Sequence, residues 1–293
     1  MYYNYISIIM NLFQQYDNSN YEIFRNINYL DPMCVPTKFM FRDNELATVA
    51  ANISPLFYGG CPLNTLIIGD NATGKTTAIK KLFKDIKEPL PEVNPVYINC
   101  MSSYTEYSVF SVIYRHVMGE SAPERGSNSR KLFTDCMKKL DITHQSLLVA
   151  LDDINYLLGS GGKASPAGQN VLKSLTRANE LYGINIGIYP VVTSREFEYE
   201  FSRDVSSTFH FREVCFHPYT HDEIEAIIRQ RVEMAFYDGV LSDHVISMVC
   251  NRVIEEDNLR LAWDILKQIG LSISMNGELS DEEILKIMDL VVG

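Results

Sequence analysis

The chain has 293 residues, 46% of them hydrophobic and 22% charged, a globular rather than disordered composition with room for one large domain or two ordinary ones. A formal net charge of −11 and a pI near 5.0 exclude a protein that coats nucleic acid through bulk charge, though not one with a local basic face. No apolar run is long enough to span a bilayer, and the scattered Cys34, Cys61, Cys100, Cys136, Cys215 and Cys250 suit small buried thiols in a reducing cytoplasm, not a disulfide framework.

The opening MYYNYISIIMNLF is apolar and aromatic but lacks the basic start and small-residue cleavage site of a signal peptide. It reads as a docking helix or as a start site assigned too early. Residues 15–36 are polar, with Pro32 and Pro36, and predict an extended lead-in rather than a core element. Leu46, Val49, Ile53 and Leu56 then recur at helical spacing, so a helix begins near Asp43. Thr65 to Ile68 reads as a strand and AIKKLFKDIK as a helix.

Between them Gly69, Asp70, Asn71, Ala72, Thr73, Gly74, Lys75 and Thr76 fit G-x-x-x-x-G-K-[ST], followed by Thr77. In such a loop the backbone N–H groups wrap a β-phosphate and the helix N-terminus adds partial positive charge. Lys75 reaches the β/γ-phosphates and Thr76 places its hydroxyl on Mg²⁺. A chance glycine turn is the alternative; strand, full motif and helix together favour a nucleoside triphosphate site, with ATP and Mg²⁺ as the ligands.

NPVYINC predicts a short strand, YSVFSVIYRHVMG a helix ended by Gly119, residues 119–130 a polar loop, and KLFTDCMKKL an amphipathic helix. Leu147 to Leu151 form a buried strand with two acids at its carboxyl end. Asp152 is the candidate to hold Mg²⁺ with Thr76, and Asp153 to polarise the attacking water; an Asp-rich turn after a strand is the alternative. GSGGKASPAG reads as a flexible loop, QNVLKSLTRANELY as one helix, INIGIYPVVTS as a strand ending at Thr193–Ser194, and EVCFHPYT as a last strand. Strands alternating with helices predict an α/β fold with a parallel sheet, its ligands at the carboxyl ends of the strands. After Tyr219 only helices follow, HDEIEAIIRQRVEMAF, SDHVISMVCNRVIE, NLRLAWDILKQIG and DEEILKIMDLVV, each opening near a capping residue. The domains are therefore read as a lead-in (1–36), an α/β base (37–218) and a helical lid (219–293).

These segments together resemble an AAA+ ATPase of the origin-recognition and cell-division-cycle (Orc/Cdc) type, the replication initiators of archaea and eukaryotes. The resemblance rests on Val35–Pro36 and Arg42–Asp43 in DPMCVPTKFMFRDNEL, on VYINC and SLTRANE, and above all on FHPYTHDEIEAIIRQR and DNLRLAWDIL. It implies that Val35, Tyr219 and Arg231 contact the nucleotide and that Arg260 is the lid arginine (sensor 2) that reaches the γ-phosphate, coupling lid angle to phosphate state. It places Ser194, or else Thr193, at the polar sensor 1 position, commonly Asn. Arg203 lies near an arginine that acts as a finger toward a neighbouring subunit's nucleotide, but one position out of register, with Asp204 in the expected place. Solvated arginines and a half-buried tyrosine are the plain alternatives, and His217 and His221 near Cys215 read as structural histidines.

Two departures, Asp153 where the family usually has Glu and Ser or Thr at sensor 1, imply a slow ATPase suited to a switch. Family members commonly continue into a winged-helix domain, and no stretch here reads as one; DNA contact would fall to the ATPase part, through the Arg125–Arg130 loop, or that loop is simply solvated. The resemblance implies ATP and ADP, origin DNA, the replicative helicase or other initiator subunits as partners, no membrane, oligomerisation through a trans arginine, and an archaeal-type cytoplasm or nucleoid. The rival expectation is an ATP-gated protein-interaction switch without DNA binding of its own.

Overall fold

The apolar runs become strands. In the computed structural model, which describes residues 23–123, 128–159, 163–193 and 201–293, they are β1 (Thr65–Gly69), β2 (Val93–Asn99), β3 (Ser146–Asp152), β4 (Ile186–Val192) and β5 (Arg212–Phe216). All pair in parallel, in the order β2-β3-β4-β1-β5. Every residue of β1 and β4 is buried, and all of β3 after Ser146, because helices cover both faces of a parallel sheet; this is why these strands read as unbroken apolar runs. The crossovers are helical, as parallel pairing requires: α2 (Lys75–Asp85), α3 (Glu106–Met118), α4 (Ser129–Thr143) and α5 (Pro166–Thr176), preceded by α1 (Asp43–Ile53). Because β4 separates β1 from β3, the carboxyl end of β4 sits between the glycine loop and Asp152.

The helices after Tyr219 are α6 (His221–Ala235), α7 (Asp243–Glu255), α8 (Arg260–Asn276) and α9 (Asp281–Val292). Capping boxes start α6 (Thr220 with Glu223) and α9 (Ser280 with Glu283), and Ser242 caps α7. Their apolar stripes meet in a core that includes Ile228, Val249, Trp263 and Ile269. The chain divides into two compact units, one of residues 41–218 and one combining the segment up to Met40 with residues 219–293.

The lead-in is corrected by this division. It is no separate extended segment: Ile23 and Leu30 are buried in the helical core. A bridge pairs Phe24 with Phe236, Asn26 caps a 3₁₀ turn over Ile27–Leu30, and Gly270 makes room, since a Cβ there would lie 2.5 Å from the Phe24 ring. The few apolar residues lie in a polar, aperiodic stretch, and only tertiary packing reveals them.

Smaller corrections have local causes. The loop before α5 ends sooner than expected, because Ser165 caps the helix and Pro166 suits its first turn. The helix expected through Tyr182 breaks at Arg177 (φ −94, ψ 2), which lets Ala178 bury in the sheet core while Tyr182 meets Phe133 edge-on. Cys100, Cys136 and Cys250 are buried, but Cys34 is half-buried and Cys61 and Cys215 are exposed, Cys215 pointing outward from the edge strand β5. No helix among the described residues is long and apolar enough to cross a membrane. The opening apolar segment, Arg125 and Ser194 lie outside the described residues.

Candidate functional site

The buried strand β1 ends at Gly69, and a four-residue loop leads to Gly74, whose left-handed backbone (φ 91) starts α2. Ala72 is also left-handed (φ 58), and the Thr73 hydroxyl donates to the Asp70 carbonyl at 2.9 Å, curling the loop over the helix N-terminus. The first amides of α2 have no helical acceptor, so they and the loop amides form a cradle for an anion. Gly69 is fixed by space: a Cβ there would stand 2.2 Å from the Phe216 carbonyl oxygen on β5. Gly69→Ala is therefore expected to lower the stability of the base by about 1–3 kcal/mol, as overpacking against backbone does. A urea midpoint indistinguishable from that of the parent would refute this.

Lys75 is buried and folds back onto its own loop, its Nζ donating to the Gly69 carbonyl at 2.8 Å and the Asp70 carbonyl at 2.6 Å. The Thr76 hydroxyl donates to Asp152 Oδ2 at 2.7 Å, across from β1 to the end of β3. The sheet register explains the meeting. Asn99 and Val191 flank Asp152, and Val192 flanks Ile68, so the loop, Asp152 and Thr193 all emerge at one level.

Asp152 is buried, and its Oδ2 accepts a second hydrogen bond, from the Tyr97 hydroxyl at 2.5 Å. Burial, then the hydrogen bond to Asp152, push the Tyr97 phenol well above its ordinary range, so it stays a donor. Lys80 Nζ lies over the Tyr97 ring, 4.4 Å from its centre. Asp153 takes a left-handed backbone (φ 53), and its Oδ1 accepts from the Thr193 hydroxyl at 3.4 Å. Thr193, the less favoured sensor 1 residue in the sequence, thus touches the candidate base.

Pattern reading missed Tyr97 and Arg42, whose side chains bond to Asp152 and to the glycine loop. Arg42 is buried, its guanidinium donating to the Thr73 carbonyl at 3.0 Å and the His217 carbonyl at 2.6 Å, and it lies over the Phe216 ring. It ties the glycine loop to the end of β5. The Arg42–Asp43 pair was visible in the sequence, but not its partners, which are backbone atoms.

Arg203 is exposed at the start of a single helical turn, and Asp204 beside it pairs with Lys173 at 2.6 Å. In the helical unit Arg260 is exposed in the first turn of α8, Tyr219 is half-buried just before α6, and Val35 is half-buried. Arg231 is buried: its guanidinium donates to the Tyr29 and Cys34 carbonyls, both at 2.9 Å, and covers the Trp263 ring at 5.0 Å. It clamps the segment that carries Val35.

This geometry has relatives. Residues 225–281 match the Cdc6 AAA+ ATPase-type lid domain. ORC1-type DNA replication protein 2 of Methanothermobacter thermautotrophicus is 36% identical over 85% of this chain and 64% of its own length. The protein of the same name from Methanosarcina mazei is 36% identical over 87% of this chain and 67% of its own. The chain thus spans about two thirds of the length of these curated relatives. Among solved structures, the Aeropyrum pernix ORC1 protein in complex with DNA aligns with a TM-score of 0.79 and 26% identity, over 93% of this chain and 71% of that one. The Aeropyrum pernix ORC2 protein, solved as ADPNP–ADP complexes, shares the fold with a TM-score of 0.76 at 22% identity, over 92% of this chain and 72% of that one. With a glycine loop, an acid-ended third strand and a matching lid in one sequence, the chain belongs to the family of ORC1-type DNA replication proteins.

Proposed function

We propose that the chain is an ATP-binding AAA+ switch ATPase of the DNA replication initiator type, acting in origin recognition or remodelling or in helicase loading. The observation that carries this is the Thr76–Asp152 pair, a hydroxyl and a carboxylate 2.7 Å apart at the mouth of a glycine loop. Hard oxygen donors of this kind fit Mg²⁺, which when bound neutralises charge on the β- and γ-phosphate oxygens.

The amides from Asp70 to Thr77 cradle the phosphates, and Lys75 exchanges its two carbonyl acceptors for phosphate oxygens. Asp153 orients water, with Thr193 or Ser194 holding it in place. The resemblance makes Val35, Tyr219 and Arg260 the lid-side nucleotide contacts; Arg231 serves that set through the Cys34 carbonyl. Arg203 is proposed as the trans arginine of an oligomer, and a cytoplasmic or nucleoid setting follows from the role. Asp153→Asn is expected to slow hydrolysis about 100-fold, the scale of general-base catalysis, while nucleotide affinity stays within a factor of about three. Steady-state phosphate release beside equilibrium nucleotide titration checks both halves.

The Aeropyrum pernix relative solved with DNA supports DNA as a partner. The net charge of −11 favours the rival, a nucleotide-gated switch that acts through protein contacts alone. Titrating labelled duplex DNA against salt, with ATP and Mg²⁺ present, separates them, since phosphate contacts release counterions and leave a steep slope. Nucleotide-dependent binding with that slope sustains the initiator reading; ATP binding without DNA binding leaves the rival.

A further inference from the structure

Beside Tyr97 the base has a cleft of about 390 Å³, lined by Lys80, Phe83, Lys84, Lys87, Tyr97 and His116 among others. Lys80, Lys84 and Lys87 are four and three residues apart, so they run along one face of α2 and its C-terminal extension. At 1.5 Å per residue they span about 10 Å, long enough to follow more than one phosphate of a strand that rises about 3.4 Å per nucleotide. Lys84 and Lys87 are exposed, and among the described residues neither forms a salt bridge. The acids nearby are Asp85, which pairs with Lys81 at 2.9 Å, and the exposed Glu88 beside Lys87. Burial, then Lys87 and Arg115, hold His116 below the ordinary histidine range.

Spacing rather than cation type narrows the ligand: each lysine binds phosphate as a point charge, and a row of three along one face suits a run of phosphates. We infer that this cleft binds the sugar–phosphate backbone of a nucleic acid, and that Lys80 and Tyr97 link its occupancy to the Asp152 carboxylate. An incoming phosphate competes with the Tyr97 ring for Lys80, and Tyr97 donates to the same Asp152 oxygen that Thr76 reaches. By linkage, a nucleic acid that alters nucleotide affinity must have its own affinity altered equally. The linkage rests on the nucleotide site proposed above; the cleft itself does not.

The test uses the full chain, a short fluorescein-labelled DNA duplex and single strand, and salt between about 50 and 200 mM. Lys84→Ala/Lys87→Ala is expected to weaken binding about tenfold at the lower salt and to reduce the log–log salt slope by about 1.5 to 2. Lys138→Ala/Lys139→Ala, at exposed positions of α4, is the control and should leave the slope unchanged. An unaltered slope in the cleft variant, an equal loss in the control, or displacement of DNA by poly-glutamate at equal charge would overturn the cleft assignment. DNA binding at the parent's affinity and slope in the cleft variant refutes the cleft alone, whereas absence of DNA binding by the parent, with ATP still bound, refutes the initiator reading as well. For the linkage, nucleotide affinity is measured with and without saturating oligonucleotide. The ratio should depart from one in the parent and return to one in Tyr97→Phe; a ratio of one in the parent, or an unchanged ratio in the variant, defeats it.

Discussion

Lys75→Ala is expected to reduce nucleotide affinity at least 100-fold, equivalent to about 3 kcal/mol at 1.4 kcal/mol per tenfold, and to abolish any nucleotide dependence of DNA binding. The ammonium is held against the loop by the carbonyls of Gly69 and Asp70. Those acceptors are preorganisation: the lysine already lies along the loop, so little side-chain entropy remains to be lost when it turns to phosphate. The fold should survive the change. Alanine is a better helix former than lysine at the start of α2, and the two carbonyls belong to a loop whose outer residues Asp70 and Asn71 are exposed to water. Titration of a fluorescent ATP analogue measures the affinity, and a urea transition matching the parent's shows that the loss is local. Affinity within about threefold of the parent would remove Lys75 from the site and with it the main support for a phosphate-binding loop.

The parallel sheet, its buried strands and the glycine loop were legible because each rests on local chemistry. Five consecutive apolar residues before two acids can only be a covered strand, and β3 is one, with Asp152 at its end. What was not legible depends on distant backbone atoms. Arg42 finds the carbonyls of Thr73 and His217, and Arg231 those of Tyr29 and Cys34; carbonyls leave no trace in residue identity. Tyr97 sat in a segment already singled out, but its position beside Asp152 depends on β2 being the neighbour of β3, which chain order alone does not give. The hydrogen bond from Thr193 to Asp153 likewise depends on strand order, which sets the end of β4 next to that of β3. Ile23 and Leu30 were hidden for a third reason: with no periodicity around them, only Phe236 and the cleared space at Gly270 give their segment a place.

Arg231→Ala is expected to destabilise the helical unit by about 3–5 kcal/mol. Two hydrogen bonds from a charged donor contribute roughly 1.5–3 kcal/mol each, and the cation over the indole about 0.5–2 kcal/mol, less what is regained by not burying a charge. The Tyr29 and Cys34 carbonyls lose their partner in a half-buried setting, and residues 23–40 are then held by Ile23, Leu30, the Phe24 bridge and the more exposed contacts of Arg25 and Lys38. Trp263, the chain's one tryptophan, lies under this guanidinium, so its emission reports the unit directly. At a urea slope of about 1–3 kcal/mol/M the midpoint should fall by at least about 1 M. Arg231→Lys separates charge from geometry. Arg231 reaches the two carbonyls from separate terminal nitrogens of one plane, which a single Nζ does not provide, so lysine should recover less than half of the loss. A lysine variant as stable as the parent would mean that charge over Trp263, not the clamp, holds the unit. An unshifted midpoint in Arg231→Ala would mean that neither does.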